Sequence, residues 1–241
     1  MVTEDTVYQG RVHLVQPETG FRTGTDSLLL AAALSDKVSY KAMLDVGCGC
    51  GGALLPAVYR VDCALTVGVD IVDHMVDLAR AGIARNGFSE RVRVEQGEAS
   101  AWVKGHENAF DLVFSNPPYF EPGRISAPGE GKAAAYLESL DLAGWVKAMV
   151  FAARPKAPVV MIHRAAELAR ILAAFDKQTG EITVLPIASK PGEEARRVLV
   201  RGRKGLKRGP VRLLAPLVTH EADGSASPAL DAVRRGEGID W

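Results

Sequence analysis

The chain's 241 residues, 47% hydrophobic and 24% charged, suffice for one α/β domain with additions and contain no apolar run of about 18 residues to span a membrane. Its 29 basic and 29 acidic residues cancel, which argues against a generic polyanion binder. Three cysteines without a CxxC pair and five scattered histidines give neither a disulfide framework nor metal-ligand spacing, and the acidic start Met1-Val2-Thr3-Glu4-Asp5 lacks the apolar stretch of a signal peptide, so a cytoplasmic protein with no metal and no membrane partner is expected.

Thr6 to Val15 alternates loosely, with Val12, Leu14 and Val15 apolar, and predicts a strand or hairpin arm ending at Pro17-Glu18-Thr19-Gly20. Small polar residues from Gly20 to Ser27 then precede Leu28 to Leu34, an apolar helix with Thr25 or Asp26 as its N-cap. That helix N-terminus is also a place to hold a ligand carboxylate. Ala42 to Val46 is a short strand running into Gly47-Cys48-Gly49-Cys50-Gly51-Gly52, and Ala53 to Tyr59 is helical: strand, glycine-rich turn, helix. Gly47, Gly49 and Gly52 match G-x-G-x-x-G, whereas Gly47, Gly49 and Gly51 match G-x-G-x-G, so the glycines alone leave a dinucleotide enzyme and a methyltransferase both open.

Leu65 to Val69 is a second strand, ending in Asp70 about 25 residues after Asp45, close to the offset at which an acid grips a ribose diol. The alternative is that Asp70 caps the helix beginning near Asp73, whose apolar spacing lasts until Asn86-Gly87. Val92 to Glu95 is a third strand, followed by Gln96-Gly97-Glu98-Ala99. Glu98 could accept from an adenine amino group, or serve as a helix N-terminal charge.

Phe110 to Phe120 is the most informative stretch. Leu112, Val113 and Phe114 read as a buried parallel strand, stopped by Pro117 and Pro118, which cannot donate to a ladder and stiffen the backbone at Asn116. Open α/β sheets bind ligands beyond the carboxyl ends of their strands. There the Asn116 amide oxygen and a proline carbonyl can converge on a planar –NH2 group, and Tyr119 offers a flat face for stacking. A Pro-Pro turn that merely closes the strand is the plainer reading.

Arg124 to Lys132 is Pro/Gly-rich and predicts a lid or substrate loop, and Leu137 to Ala152 is an amphipathic helix with Leu140, Leu142, Trp145, Met149 and Val150 apolar. Pro158 to Ile162 is a fifth strand and Ala165 to Phe175 a helix. Glu181 to Ile187 and Arg197 to Arg201 are strands with no helix between them, the mark of an antiparallel ending. Ala195 to His220 holds no acid but eight cations, either a solvated basic face or a phosphate-contacting patch. The tail from Glu221 is polar, with one short helix after Pro228.

The order Asp45-x-Gly47-x-Gly49-x-Gly51, Asp70, Glu98, Asn116-Pro117-Pro118-Tyr119 resembles the class I S-adenosylmethionine-dependent methyltransferases of the amino-methylating branch, over about Met43 to Ile187. The opening segment Gly20 to Leu30 resembles bacterial tRNA (adenine-N6)-methyltransferases of valine tRNA. The resemblance implies an α/β, Rossmann-like, seven-stranded, mostly parallel sheet with an antiparallel last strand and helices on both faces. That domain would span residues 41–220, after an N-terminal strand or hairpin and capping helix (1–40) and before a C-terminal tail (221–241).

It also implies roles for single residues. Asp45 would face the amino end of the methionine moiety, with Gly47, Gly49 and Gly51 letting backbone approach it. Asp70 would hold the ribose hydroxyls and Glu98 the adenine, with Ile71, Ala99 and Asn116 also among the cofactor-binding residues, although the family often has aspartate at the place of Glu98. Thr25 and Asp26 would close over the methionine end. Asn116 and the Pro117 carbonyl would accept hydrogen bonds from the target amine, with Pro118 stiffening the corner and Tyr119 stacked on the target base. Phosphates of a tRNA partner would meet Arg197, Arg201, Arg203, Lys204 and Lys207.

The expected activity is N6-methylation of an adenosine in structured RNA, in a tRNA anticodon loop, by a monomer or homodimer. A protein glutamine N5-methyltransferase is one alternative, disfavoured because only some 42 residues precede Met43, too few for a long helical domain. An NAD-dependent oxidoreductase is another, and it leaves Asn116 to Tyr119 without a role.

Overall fold

Met43, Leu44 and Val46 on one strand and Leu112, Val113 and Phe114 on its neighbour are each 0–1% exposed, apolar toward both faces as parallel strands covered by helices must be. The computed structural model describes residues 2–19, 22–118 and 141–241. The first elements are β1 (Val2–Val7), β2 (Val12–Pro17), α1 (Thr25–Ala33), β3 (Tyr40–Val46), α2 (Leu54–Arg60), β4 (Cys63–Asp70), α3 (Asp73–Arg85), β5 (Val92–Gln96), α4 (Ala99–Trp102) and β6 (Leu112–Ser115). After them come α5 (Leu142–Ala152), β7 (Pro158–Arg164), α6 (Leu168–Asp176), β8 (Thr179–Ala188), β9 (Ala195–Lys204), β10 (Arg212–Leu213), β11 (Leu217–Val218) and α7 (Pro228–Arg234).

Five strands run parallel in the order β5-β4-β3-β6-β7, and β9 inserts antiparallel between β7 and β8. This is the seven-stranded sheet with an antiparallel member that the sequence implied. The sheet is larger than that by two: β10 and β11, two residues each, pair in parallel with β8 and bring the count to nine. Two residues carry no periodicity, so no sequence pattern marks them.

Side chains alternate between two apolar layers. Met43, Leu112, Phe114, Val160 and Ile162 pack with α1, α2 and α3, and Leu44, Val113, Val159 and Met161 with α5 and α6. Tyr8, Leu14, Leu30 and Val233 belong to the first of these layers, so the opening hairpin, α1 and α7 share the core of the sheet domain. Arg60, its side chain 1% exposed, fastens them: its guanidinium donates to the carbonyls of Ala31, Leu34 and Gly236 and pairs with Asp36. A cation at the carbonyl end of a helix is favoured by the helix dipole.

Some boundaries differ from the sequence reading. Thr6 to Val15 is not one strand: the chain reverses at residues 8–11, where Tyr8, Gln9 and Gly10 have φ of +53°, +59° and +86°, and β1 pairs antiparallel with β2. The cap of α1 is Gly24, with no side-chain bond, rather than Thr25 or Asp26. Residues 165–167 form a 3-10 turn before α6 begins at Leu168. The short helix after Pro228 is present as α7, capped by the Ser227 hydroxyl accepting from Leu230 N–H.

Candidate active site

The carboxyl ends of the paired strands β3 and β6 lead into one small cleft, lined by Ser27, Asp45, Gly47, Gly52 and Asn116 among others. Beyond β3 the chain turns through Gly47, Gly49 and Gly51 at φ of +73°, +54° and +89°, a region that side chains resist. Gly47 is constrained twice over: a Cβ there would lie 2.9 Å from Trp145 Cζ2. The turn is tied to β4, with Gly47 N–H and Cys48 N–H both donating to the Val69 carbonyl at 2.8 and 3.0 Å.

Asp70 ends β4 and holds the same turn. Its Oδ2 accepts from Gly49 N–H at 2.8 Å and its Oδ1 from Val72 N–H at 2.9 Å. The α3 cap is Val72, without a side-chain bond, so Asp70 braces the crevice rather than capping that helix. Each carboxylate oxygen keeps a second acceptor direction, which suits a diol. Burial pushes the Asp70 carboxyl above its usual range, opposed by its backbone donors.

Asp45 differs in kind. It is 2% exposed and its Oδ2 has no hydrogen-bond partner among the described residues. Burial, and then the charge of Asp70, drive its carboxyl well above the ordinary range. A buried orphan carboxylate oxygen at a cleft is costly unless a ligand supplies a donor, and a cationic amino group is the best such donor. The cofactor implied by the sequence fits here: its ammonium would meet Asp45, while the glycine turn lets the rest lie close to backbone.

Across the cleft, Asn116 is partly exposed, Pro117 buried and Pro118 partly buried, as a stiff corner at the end of β6 requires. The expected stacking residue Tyr119 and the loop at 124–132 lie outside the described residues, as do Leu140 and the start of the helix expected from Leu137. Beneath Asn116 the fully buried Ser115 donates its hydroxyl to the Val46 carbonyl at 2.6 Å and accepts from Trp145 Nε1 at 2.9 Å.

Other expected site residues stand elsewhere. Asp26 pairs with Arg197 Nε at 2.7 Å, and it is Ser27, buried on the same helix, that lines the cleft. Glu98 acts as the N-cap of α4: it accepts from Ser100 N–H, Ala101 N–H and the Ser100 hydroxyl at 2.7–2.9 Å. Its helix-charge reading therefore describes the structure, and of its two oxygens Oε1, with a single donor, keeps an acceptor direction. Ala99 is buried behind it, and Ile71 follows Asp70 with its carbonyl 3.4 Å from Gln96 Nε2. Gly52, third in the dinucleotide pattern, is explained by packing, because a Cβ there would collide with Thr23 Oγ1.

The five cations proposed for RNA are divided by strand register. Arg197 stands opposite Arg164 at the carboxyl rim, but Arg203 stands opposite Pro158, where β7 begins. Seven residues of strand, about 23 Å, separate Arg197 from Lys204. Lys204 Nζ donates to Asn108 Oδ1 and to the Phe151 and Ala153 carbonyls at 2.8–3.0 Å. Arg203 donates to the Lys156 carbonyl and pairs with Glu181, and Arg201 donates to the Trp241 carbonyl with its guanidinium 4.5 Å from the Trp241 ring. Lys207 is exposed beyond β9. The acid-free stretch is thus not one basic face.

Among the described residues no group of three or more His, Cys, Asp or Glu gathers as a metal site would need, and no helix is long and apolar enough to cross a membrane.

Comparison with known proteins agrees with this geometry. Residues 43–127 match the family described as methyltransferase domain. The tRNA1(Val) (adenine(37)-N6)-methyltransferase of Escherichia coli O157:H7 (strain EC4115 / EHEC) is 33% identical over 121 residues, 50% of this chain and 49% of that one. Its counterpart in Erwinia tasmaniensis is 32% identical over 120 residues, 49% of each. The match therefore spans about half the length of these relatives. The crystal structure of a predicted O-methyltransferase from Agrobacterium tumefaciens superposes with a TM-score of 0.72 at 24% identity, covering 89% of this chain and 98% of that one. A T. thermophilus 16S rRNA N2 G1207 methyltransferase in complex with AdoMet and guanosine gives a TM-score of 0.59 at 17% identity, covering 85% of this chain and 50% of that one.

Proposed function

We propose that this chain, whose residues 43–127 match a methyltransferase domain, transfers a methyl group from S-adenosylmethionine to N6 of an adenosine in structured RNA, in the anticodon loop of a tRNA. One observation carries the cofactor half: a buried carboxylate oxygen of Asp45 without a partner, in a cleft it shares with the glycine turn and Asn116. The relatives' tRNA activity and the Asn116-Pro117-Pro118-Tyr119 corner support the acceptor half.

When bound, S-adenosylmethionine supplies an electrophilic sulfonium methyl. The protein's contribution is placement. Asp45 would receive the ammonium, Gly47, Gly49 and Gly51 would let backbone approach the methionine moiety, and Asp70, which holds the same turn, would receive the ribose hydroxyls. An adenine amine is a weak nucleophile because its lone pair is delocalised into the ring. The Asn116 amide oxygen and the Pro117 carbonyl accept its N–H groups and favour the pyramidal nitrogen that attacks, so orientation and electrostatics lower the barrier rather than a strong base. The proton leaves late, to water.

A base in folded RNA must be unstacked to reach Asn116, costing a few kcal/mol, and stacking on Tyr119 would offset roughly 1–3 kcal/mol of that. Of the five cations considered for phosphates, Arg197, paired with Asp26, is the one that the strand register puts at the carboxyl rim of the sheet. A tRNA substrate places the enzyme in the cytoplasm.

The test is nucleoside mass spectrometry of tRNA from cells with and without the gene, with labelled methyl transfer to the unmodified tRNA in vitro. N6-methyladenosine should be lost in the deletion and restored by the protein. Label on a protein glutamine, or on no nucleoside, would overturn the assignment.

A further inference from the structure

Pro117 and Pro118 have no N–H, so the ladder joining β3 to β6 cannot continue past the corner. Its last paired residues are Asp45 and Phe114. One residue further on, a side chain takes over: the Ser115 hydroxyl donates to the Val46 carbonyl at 2.6 Å. Its oxygen accepts from Trp145 Nε1 at 2.9 Å, and Ser115 is 0% exposed, so water cannot substitute for either bond. Val46 leads directly into Gly47, and the Trp145 ring that donates to Ser115 fills the space where a Gly47 side chain would be. One hydroxyl thus joins the residue before the glycine turn, the residue before Asn116 and helix α5.

We infer that Ser115 is a positioning residue, which fixes the separation of the glycine turn from the Asn116 corner and so the approach of acceptor to methyl donor. The group has to donate to a carbonyl and accept from an indole N–H at once, which a hydroxyl does and a methyl cannot. The inference rests on the proposed methyl transfer.

The test compares wild type, Ser115→Ala, Trp145→Phe and the double variant in labelled methyl transfer to tRNA from cells lacking the gene, with S-adenosylmethionine affinity measured by calorimetry on the same preparations. A displacement of about 1 Å in a reacting geometry can cost ~100-fold. Ser115→Ala should accordingly lower kcat by about 10- to 100-fold while the cofactor Kd and the KM for tRNA stay within about threefold. Trp145→Phe removes the donor and also ring atoms that pack on Gly47, so it is read through its coupling: it should lower kcat in the same sense, and the two effects in the double variant should be less than additive.

Retention of kcat within about threefold in Ser115→Ala, a fall in kcat matched by an equal loss of cofactor affinity, or full additivity in the double variant would overturn the role. Should Ser115→Ala fail to fold, the kcat and Kd of Ser115→Cys, whose thiol is a weaker donor and acceptor, decide by the same criteria. Failure of wild type to label tRNA would remove the proposed function itself; failure of the Ser115 comparison leaves wild-type labelling intact.

Discussion

The two rims of one sheet are built on opposite terms. At the amino rim, cations that look free in the sequence are tied into the fold: Lys204 by three oxygens and Arg203 by a carbonyl and Glu181, while Arg201, opposite Val160, meets a carbonyl and an indole face. At the carboxyl rim, by contrast, a buried Asp45 oxygen lacks a partner among the described residues, beside the turn of Gly47, Gly49 and Gly51. A fold tolerates such features where a ligand completes them. One buried carboxylate oxygen open to the cleft, more than charge, marks the working end of this sheet.

The contrast can be broken most sharply at Asn116. Asn116→Ala should lower methyl transfer by about 10²- to 10³-fold, the scale of losing one donor or acceptor aimed at a transition state, with the cofactor Kd within about threefold. Parallel loss of cofactor binding in calorimetry would mean that the corner supports the cleft instead.

Asp45→Asn comes next. Removing a charge-assisted contact should weaken S-adenosylmethionine by about 10- to 100-fold, and yet the unliganded variant should melt a few degrees higher than wild type. The sign follows from burial: a carboxyl raised in the folded state costs nothing at pH below its unfolded value, and the stability it lacks is lost as pH rises from about 4 toward the folded value. Melting curves across pH should therefore show wild type and Asp45→Asn converging under acid and diverging toward neutrality. No divergence would show that Asp45 is already satisfied.

Asp70→Ala should cost about tenfold in cofactor affinity, through the lost contact and the released Gly49 N–H. Binding unchanged in calorimetry would assign Asp70 to the turn alone. The smallest effects separate the rims in RNA binding. Arg197→Ala should reduce the salt slope of tRNA affinity by about one, whereas Lys204→Met should leave that slope alone and lower Tm by ~2–10 °C as three acceptors lose their donor. The reverse pattern would move the RNA surface to the amino rim.

What the sequence disclosed was whatever a short window contains. The apolar runs at Met43–Leu44 and Leu112–Phe114, the glycine turn and the Pro117-Pro118 stop are local, and the structure places them as the pattern implied. Bonds across the fold were hidden. Asp26 and Ser27 are adjacent polar residues on one helix, and only the packing of α1 decides that the first meets Arg197 and the second the cleft. Ser115 and Trp145 are 30 residues apart, and neither stands out except as a small polar residue at a strand end and an indole that, once buried, needs an acceptor. Glu98 was legible as a cap, three residues before the Ala101 N–H it accepts, but the family pattern drew attention to another role. The acid-free stretch misled because a strand 10 residues long crosses the whole sheet, so its charges cannot share one rim.

Thr23 lies against Gly52, with its own N–H held by Gln16 Oε1 at 2.6 Å, so the opening hairpin and the glycine turn meet at a point with no room for one extra carbon. Positions 23 and 52 should accordingly drift through descent as a linked pair: a lineage that gains a methyl at 52 survives only where 23 has shrunk.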